Sequence, residues 1–383
     1  MNNDTMSQVF SHYIENFAMI NSEEHGEYYK WQICHEFPKL MDEALAAPED
    51  EFAAALYKAK VCTENIIDSF TQPFYGLVKF AEEEPETVRQ MFIDLYEPDG
   101  GSLQVQMEQI EDFFNRSNEL LEKYYPDSYL YKQNSHSVSA YLFLYDPENH
   151  YMYKASECNT MADCIGFYDD WGSGDNIKLD VFYRMCDEIV EEIKKCPELL
   201  KTNESRYDGS LNFKPGKLHD DVNKHILLFD IIYCCKVYDL FGIIPFARPN
   251  TKEKKLIIEY REKAISLKKA YDEAKEHAAE LEQALDYFST VVKVGEVVVH
   301  KKYGEGKITQ INSQYIFIDF PSQGEVKQLG LPVVIANGIV RYNVADFDER
   351  LAKYKSVISK ASSIPRQLDF AAKALEPYEE YLV

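Results

Sequence analysis

The chain has 383 residues, of which 45% are hydrophobic and 28% charged, and its formal net charge is −24. This composition excludes global disorder, and the length predicts two or three domains. The acidic balance disfavours broad contact with nucleic acid or anionic lipid, so any such contact would need a local basic patch.

The lack of a recognisable signal peptide or membrane span, together with the spacing of the cysteines, predicts a cytoplasmic protein. The first residues, MNNDTMSQ, lack the basic and apolar regions of a signal peptide. The longest apolar run covers 226–235 and is far shorter than the ~20 residues of a membrane span. Eight cysteines occur without a C-x-x-C pair, which indicates free thiols in a reducing compartment. We expect no membrane contact, no cofactor and no resident metal.

Residues 1–125 are predicted to form a helical domain. Phe10, Ile14 and Phe17 recur on one helical face, and 28–45 continues with a second helix that we expect to bend or break near Pro38. Further helices are predicted to begin at Pro48 and near Pro85, where acidic residues occupy the first turn, and to cover 103–124.

Residues 126–250 are predicted to form an α+β middle domain. Ala140–Tyr145 is a strand-like run rich in aromatic residues, and Tyr151–Tyr153 alternates like a returning strand after the turn at 146–149. Helices are expected over 179–195 and over 219–241, the second apolar on nearly every side. The segment 142–148, followed by 151–154, resembles accessory domains beside McrB-type restriction systems, which would imply a role in phage defence.

Acidic residues of the middle domain form the candidate rim of a ligand or metal site. Residues 169–180 resemble an EF-hand loop in length, but Trp171 stands at a ligand position and Asp180 replaces the bidentate Glu, so we favour a polar loop that caps the next helix. Asp230 lies within the apolar run, where a carboxylate is costly unless paired. We expect it to bond to a Tyr or Arg in the core, and the residues retained for a ligand site are Asp169, Asp170, Asp175 and Asp230.

No pattern that is typical of common catalytic sites was found. The chain lacks the nucleophile elbow, the phosphate-binding loop, the dinucleotide fingerprint and the zinc-protease motif. Glu192 and Lys194 match part of a nuclease pattern but are expected on a helix, where residues two apart diverge. His219, Asp220 and Asp221 are expected to begin a helix rather than bind metal.

Residues 251–293 are predicted to form one long coiled-coil helix. Apolar residues recur at every heptad a and d position from Ile257 to Phe288. The stripe could pair with a second copy, giving a dimer, or with a C-terminal helix over 343–383 through Phe347, Leu351, Tyr354 and Ile358. We favour the pairing within one chain, because helices close in sequence commonly pair.

Residues 294–342 are predicted to form a small barrel of short strands. Val297 and Val299 are interpreted as alternating with polar neighbours, and Tyr303–Gly306 as a turn that requires glycine. Further strands are predicted over 307–311, 315–320 and 326–329. The residues that carry a resemblance are Gly295, Val298, His300, Tyr303, Gly304, Gly306, Ile308, Ile318 and Phe320. In this order they resemble the module of CarD-type transcription regulators and the C-terminal Tudor-like (SH3-like) domain of PcrA/UvrD helicases.

The resemblance implies docking rather than catalysis. Modules of these families bind RNA polymerase or lie beside nucleic acid, so a partner in transcription or DNA repair is expected. The candidate partner-binding residues are His300, Lys301, Lys302, Tyr303 and Lys307, although His300 and Tyr303 are expected to pack the end of the barrel itself. We therefore predict a mainly helical α+β protein that acts as a non-enzymatic adaptor. The alternatives are an enzyme or ligand sensor in the middle domain, and a scaffold that acts only by dimerising through its coiled coil.

Overall fold

The computed structural model describes most of the chain as helix, followed by a small antiparallel sheet. It describes residues 2–63, 66–67, 71–97, 100–174, 176–208, 217–291, 293–312, 315–342, 352 and 363–382, with the backbone alone for 173, 281–291, 331, 332 and 336. Two compact units result, Met1–Lys255 and Leu256–Val383. The finer division into five segments stays a prediction. Among the described residues, no helix combines the length and apolar character needed to cross a bilayer.

The first unit is built from helices. They are α1 Asn3–Ile20, α2 Tyr29–Ala46, α3 Glu49–Cys62, α4 Pro73–Glu83, α5 Pro85–Leu95, α6 Leu103–Tyr124, α7 Ser135–Tyr145, α8 Ala155–Ile165, α9 Leu179–Lys194, α10 Pro197–Glu204 and α11 His225–Val237. A two-stranded hairpin, β1 Gly172–Ser173 and β2 Asn176–Ile177, lies between α8 and α9. Helix α2 runs through Pro38, so a break there is excluded, and the alternative of a bend stays a prediction.

The strand predicted at Ala140–Tyr145 is wrong, because this run belongs to helix α7. A short apolar run does not distinguish a buried strand from a buried helix, and α7 is buried on nearly all sides. A capping box decides the matter locally: Asn134 Oδ1 accepts from the Ser137 amide, and Ser137 Oγ accepts from the Asn134 amide, both at 3.0 Å. The returning strand is also wrong, since the amide of Tyr153 donates to Ser139 Oγ instead of to a β-ladder.

Helix α7 completes an aromatic cluster that joins four helices. The ring of Tyr141 lies 5.0 Å from Phe74, 5.6 Å from Phe92 and 5.9 Å from Phe113, mostly in edge-to-face or tilted geometry. Each such pair contributes about 0.5–1.5 kcal/mol beyond area burial. Helices from residues 1–125 and from 126–250 therefore contribute to one continuous core.

Helix α12, Thr251–Val291, confirms the predicted long helix. Its heptad positions Ile257, Tyr260, Leu267 and Tyr271 are partly buried, and Ala264 is fully buried. Within the second unit, the ring of Tyr260 contacts Tyr378 and Tyr381 of the 3₁₀ helix Glu376–Tyr381, with centroids 5.5 and 5.2 Å apart. This 3₁₀ helix follows a further helix, Ile364–Leu375. The predicted contacts of Phe347, Leu351, Tyr354 and Ile358 lie outside the described residues.

The second unit contains a five-stranded antiparallel sheet with its own core. Its elements are β3 Val297–His300, β4 Gly304–Ile311, β5 Tyr315–Phe320, β6 Glu325–Gly330, helix α13 Leu331–Ala336 and β7 Val340–Tyr342. The strand order is β6-β5-β4-β3-β7, so β7 returns beside β3 after the meander. The core of this sheet is made by Val298, Ile308, Ile316, Ile318, Phe320, Val334, Ile335 and Val340. The four strands predicted from the sequence are confirmed, and α13 and β7 are additions.

Candidate functional site

His300 belongs to the packing of the sheet rather than to its exposed surface. It ends β3, is 7% exposed, and stacks on Tyr303 with ring centroids 4.4 Å apart. Its Nδ1 accepts from the amides of Lys302 and Tyr303, at 3.0 and 3.2 Å, which organises the turn to β4. Burial, together with the nearby charge of Lys302, lowers the pKa of His300, so the ring is neutral at pH 7. The expectation that His300 and Tyr303 pack the end of the sheet is confirmed.

The lysines of the candidate site are exposed. Lys301 and Lys302 occupy the turn between β3 and β4, and Lys307 lies on β4. The ammonium of Lys302 lies 5.6 Å from the centroid of the Tyr303 ring, and that of Lys327 lies 5.8 Å from it. Two ammonium groups therefore lie close to the ring of Tyr303.

The outer face of the sheet carries exposed valines, one of which lies opposite Lys307. The register places Val297, Lys307, Asp319 and Val326 directly opposite one another in a row across β3, β4, β5 and β6. Val297, Val299 and Val326 are each about half exposed, at 50%, 53% and 51%. The inward residues of β3 are Val298 and His300. The sequence predicted β3 but did not assign which of its alternating faces meets the core, and so it missed the outer valines.

The two glycines of the turn serve different purposes. Gly304 has a backbone φ of +75°, which glycine adopts without strain, as predicted. Gly306 instead permits close packing, because a Cβ at this position would lie 2.5 Å from Phe320 and 2.7 Å from Ile318. Only the first of them supports the predicted turn.

Comparison with known proteins assigns neither unit to a family. No family model, no curated protein and no solved structure matches this chain. A function for this protein therefore has to follow from the chemistry and geometry of its own residues.

The acidic loop of the first unit is tied to neighbouring basic residues. Asp169 pairs with Arg184 at 2.5 Å and Asp170 pairs with Lys178 at 3.0 Å, while Asp175 lies outside the described residues. Hydrogen bonding by Lys178 and the Gly172 amide lowers the pKa of Asp170, which stays ionised. Lys178 precedes α9 without capping it, so the predicted cap is wrong. The loop forms the β1–β2 hairpin instead.

Asp230 lies at the centre of a fully buried network of hydrogen bonds. Its carboxylate accepts from Tyr13 Oη of α1, from Lys30 Nζ of α2 at 2.5 Å and from Arg206 Nη2 at 2.7 Å. The predicted pairing with a Tyr and an Arg is confirmed, and Lys30 is a partner that the sequence did not indicate. Nothing in the described part of the chain connects Asp230 with Asp169 or Asp170, which have their own surface partners.

The charges of this network balance. Burial alone would raise the pKa of Asp230, but the charges of Lys30 and Arg206 outweigh it and lower the pKa. Glu27 lies 2.8 Å from Lys30, so two carboxylates face two cations in the core. The guanidinium of Arg206 also lies 3.9 Å from the ring centroid of Trp31. The network is thus neutral as a whole and holds α1, α2 and α11 to the turn after α10.

A metal ion would have to displace Lys30 from this network. Glu27, Asp230 and Cys234 offer ligand atoms within 4.8 Å of one another. Lys30 Nζ already lies among them, 2.5 Å from Asp230 and 3.8 Å from the Cys234 sulfur. Burial raises the pKa of the Cys234 thiol, whereas a metal ligand has to be a thiolate. The cluster is therefore built around an ammonium group.

Proposed function

We propose that the second unit is a docking module, an SH3-like barrel through which this non-enzymatic adaptor binds a protein partner. The order β6-β5-β4-β3-β7 supports this proposal, because a fifth strand that returns beside the first one wraps the chain around a small core. Helix α13 adds Val334 and Ile335 to that core.

The observation that carries the proposal is the mixed outer face of the sheet. Valines on solvent-facing strand positions have no role in the core, and Val297, Val299 and Val326 are about half exposed. Exposed apolar residues surrounded by charged ones are typical of protein-binding surfaces. Lys307 lies directly opposite Val297, whereas Glu305 lies opposite Val299 and Asp319 opposite Val326.

Charge favours an acidic segment of a protein as the partner. Residues 294–342 hold five basic residues and four acidic ones, a net charge of +1, so the remaining chain carries about −25. This region is nearly neutral and has two exposed lysines, Lys301 and Lys302, in the turn between β3 and β4. It would therefore repel an acidic partner less than the strongly acidic remainder of the chain would. The resemblance to CarD-type and UvrD-type modules adds the expectation that this partner is RNA polymerase or a DNA-repair protein.

The test is affinity purification of the tagged full-length chain from its native host, with quantitative mass spectrometry. We expect the double variant Lys302→Glu/Lys307→Glu to recover the partner about tenfold less well than wild type, because two repulsive charges would replace two attractive ones. The control Lys58→Glu/Lys201→Glu changes the total charge equally at exposed positions of the first unit. Equal recovery by both double variants would remove the proposal.

The alternative of an enzyme or sensor built on Asp169, Asp170, Asp175 and Asp230 gains no support from geometry. Asp230 is buried with partners on α1 and α2, whereas Asp169 and Asp170 pair with basic residues at the surface. Since the described carboxylates have separate partners, they do not form a shared acid–base or metal site.

A further inference from the structure

A cleft of about 440 Å³ opens in the first unit, away from the acidic residues that the sequence indicated. It lies where the end of α5, the start of α6, the end of α7 and helix α9 come together. Its aromatic lining consists of Tyr96, Tyr145, His150 and Tyr183. Neither the Asp230 network nor the β1–β2 hairpin contributes to it.

The aromatic rings of the cleft are held in place by specific contacts. Tyr96 and Tyr145 stack with centroids 3.9 Å apart and ring planes 8° from parallel. Tyr145 Oη donates to Asp42 at 2.8 Å, and His150 Nδ1 lies 3.1 Å from Tyr183 Oη. Rings fixed in this way lose little further side-chain freedom when a ligand binds. Tyr96 and Tyr145 cover one face of each other.

The charged side chains of the cleft are acidic. Glu97 and Asp146 line it, and its described lining contains no Lys or Arg. Asp146 accepts a hydrogen bond from Asn149 Nδ2 at 2.8 Å, and neither carboxylate forms an ion pair with a described residue. Carboxylates without a counter-ion beside aromatic faces attract cations and repel phosphates and nucleotides.

The geometry points to this cleft as a binding site for an organic cation that carries a protonated amine. An ammonium group can meet the carboxylates of Glu97 and Asp146 while its methylene groups lie against Tyr96, Tyr145 and Tyr183. Two sources share this chemistry: a free polyamine, and a lysine side chain of a peptide. The site belongs to the first unit and does not depend on docking by the sheet.

The test is isothermal titration calorimetry of the full-length protein at constant ionic strength. Spermidine is one probe, and a capped Gly-Lys-Gly peptide is the other. We expect saturable one-to-one binding of at least one probe, and the probe that binds more tightly identifies the source. Absence of saturable binding for both probes would overturn the inference.

Matched variants locate the binding. Glu97→Gln and Asp146→Asn should each weaken it about tenfold, a loss equivalent to one removed charge contact. Glu15→Gln, at an exposed position on α1, should leave it unchanged. Tyr145→Leu should weaken it as well, with the 84% exposed Tyr129→Leu as its control. If neither Glu97→Gln, which changes an exposed side chain, nor Asp146→Asn altered the affinity, a site in this cleft would be contradicted.

Discussion

Asp230 shows how a residue that is costly by itself becomes a structural centre. The carboxylate is fully buried, yet it accepts hydrogen bonds from Tyr13, Lys30 and Arg206, and a weaker one from the Cys234 thiol. A buried ionic cluster stabilises a fold little more than well-packed apolar residues would. Removing one partner, however, destabilises the fold because it leaves an uncompensated buried charge. The cluster therefore selects one arrangement of α1, α2 and α11.

Asp230→Asn should destabilise the first unit by about 3–5 kcal/mol, because Lys30 and Arg206 would remain buried and charged. Urea denaturation that is followed by peptide-resolved hydrogen exchange assigns the loss to Met1–Lys255. Asp220→Asn, at an exposed position nearby, is the control and should change stability by less than about 0.5 kcal/mol. A similarly small effect for Asp230→Asn would show that the network is not needed.

Asp221 is a second buried carboxylate, and it links stability to pH. Its two oxygens accept from the amides of Ile226 and Leu227 at the start of α11, both at 3.0 Å. Burial outweighs these bonds and raises the pKa of Asp221 from 3.8 to about 6. The expectation that residues 219–221 begin a helix is wrong, because α11 begins at His225 and ends at Val237. Asp221 lies four residues before the helix and bonds to its first free amides.

The sign of the pH effect follows from the raised pKa. The folded state holds the Asp221 proton more tightly than the unfolded state does, so this stability is present below about pH 4 and is lost as the pH rises through about 6. About two pKa units correspond to about 3 kcal/mol. Relative to Asp221→Asn, which cannot titrate, the wild type should lose about this much stability between pH 4 and pH 7 in urea denaturation.

The comparison with Asn at position 221 is a fair one. The residue has a φ of +48°, and Asn adopts this left-handed conformation readily while keeping one acceptor oxygen. A constant stability difference between wild type and variant over this range would contradict the assignment.

At the scale of elements, β4 depends on one close approach of its backbone to β5. Gly306 is buried beneath Phe320 and Ile318, where a Cβ would overlap both side chains. The absence of a side chain at this position thus lets Phe320 and Ile318 pack against the backbone of β4.

Gly306→Ala should destabilise the sheet by about 1–3 kcal/mol through overpacking. Gly330→Ala is the matched control, because its φ is −69° and the space around a Cβ there is open. Hydrogen exchange of β4 and β5 amides should accelerate in the first variant and stay unchanged in the second. Equal exchange rates in both variants would contradict the prediction, because they would show that the sheet accommodates a Cβ at position 306 without loss of stability.

The edge strand β6 carries two charged residues that form an ion pair with each other. Glu325 and Lys327 lie opposite Phe320 and Ile318 in the register, and Glu325 is exposed while Lys327 is partly buried. Charged side chains on an edge strand hinder the addition of strands from other molecules. The docking proposal therefore rests on the outer valines and not on the free edge of β6.

At the scale of the whole molecule, the described part of the chain has two separate hydrophobic cores, one in each compact unit. The first unit holds the Asp230 network and the aromatic cleft, and the second unit holds a separate hydrophobic cluster and the candidate docking residues. Because the proposed cleft and docking face lie in different units, a variant of one is expected to leave the other intact. The chain as a whole is strongly acidic, whereas the turn between β3 and β4 carries the two basic residues Lys301 and Lys302.

Patterns that repeat along the chain determined much of this structure. The heptad stripe predicted α12, and the glycine-containing turn with its alternating flanks predicted β3 to β6, because both signals act over neighbouring residues. The apolar surroundings of Asp230 were sufficient to predict a buried partner, since an unpaired carboxylate is too costly there.

Tertiary structure alone decided what such patterns leave open. Alternation does not say which face of β3 meets the core, and an apolar run such as Ala140–Tyr145 is compatible with helix or strand until its neighbours pack against it. Lys30 and Asp230 are 200 positions apart, and the cleft joins residues from α5 to α9. Contacts of this kind depend on how helices pack together, which no local pattern encodes.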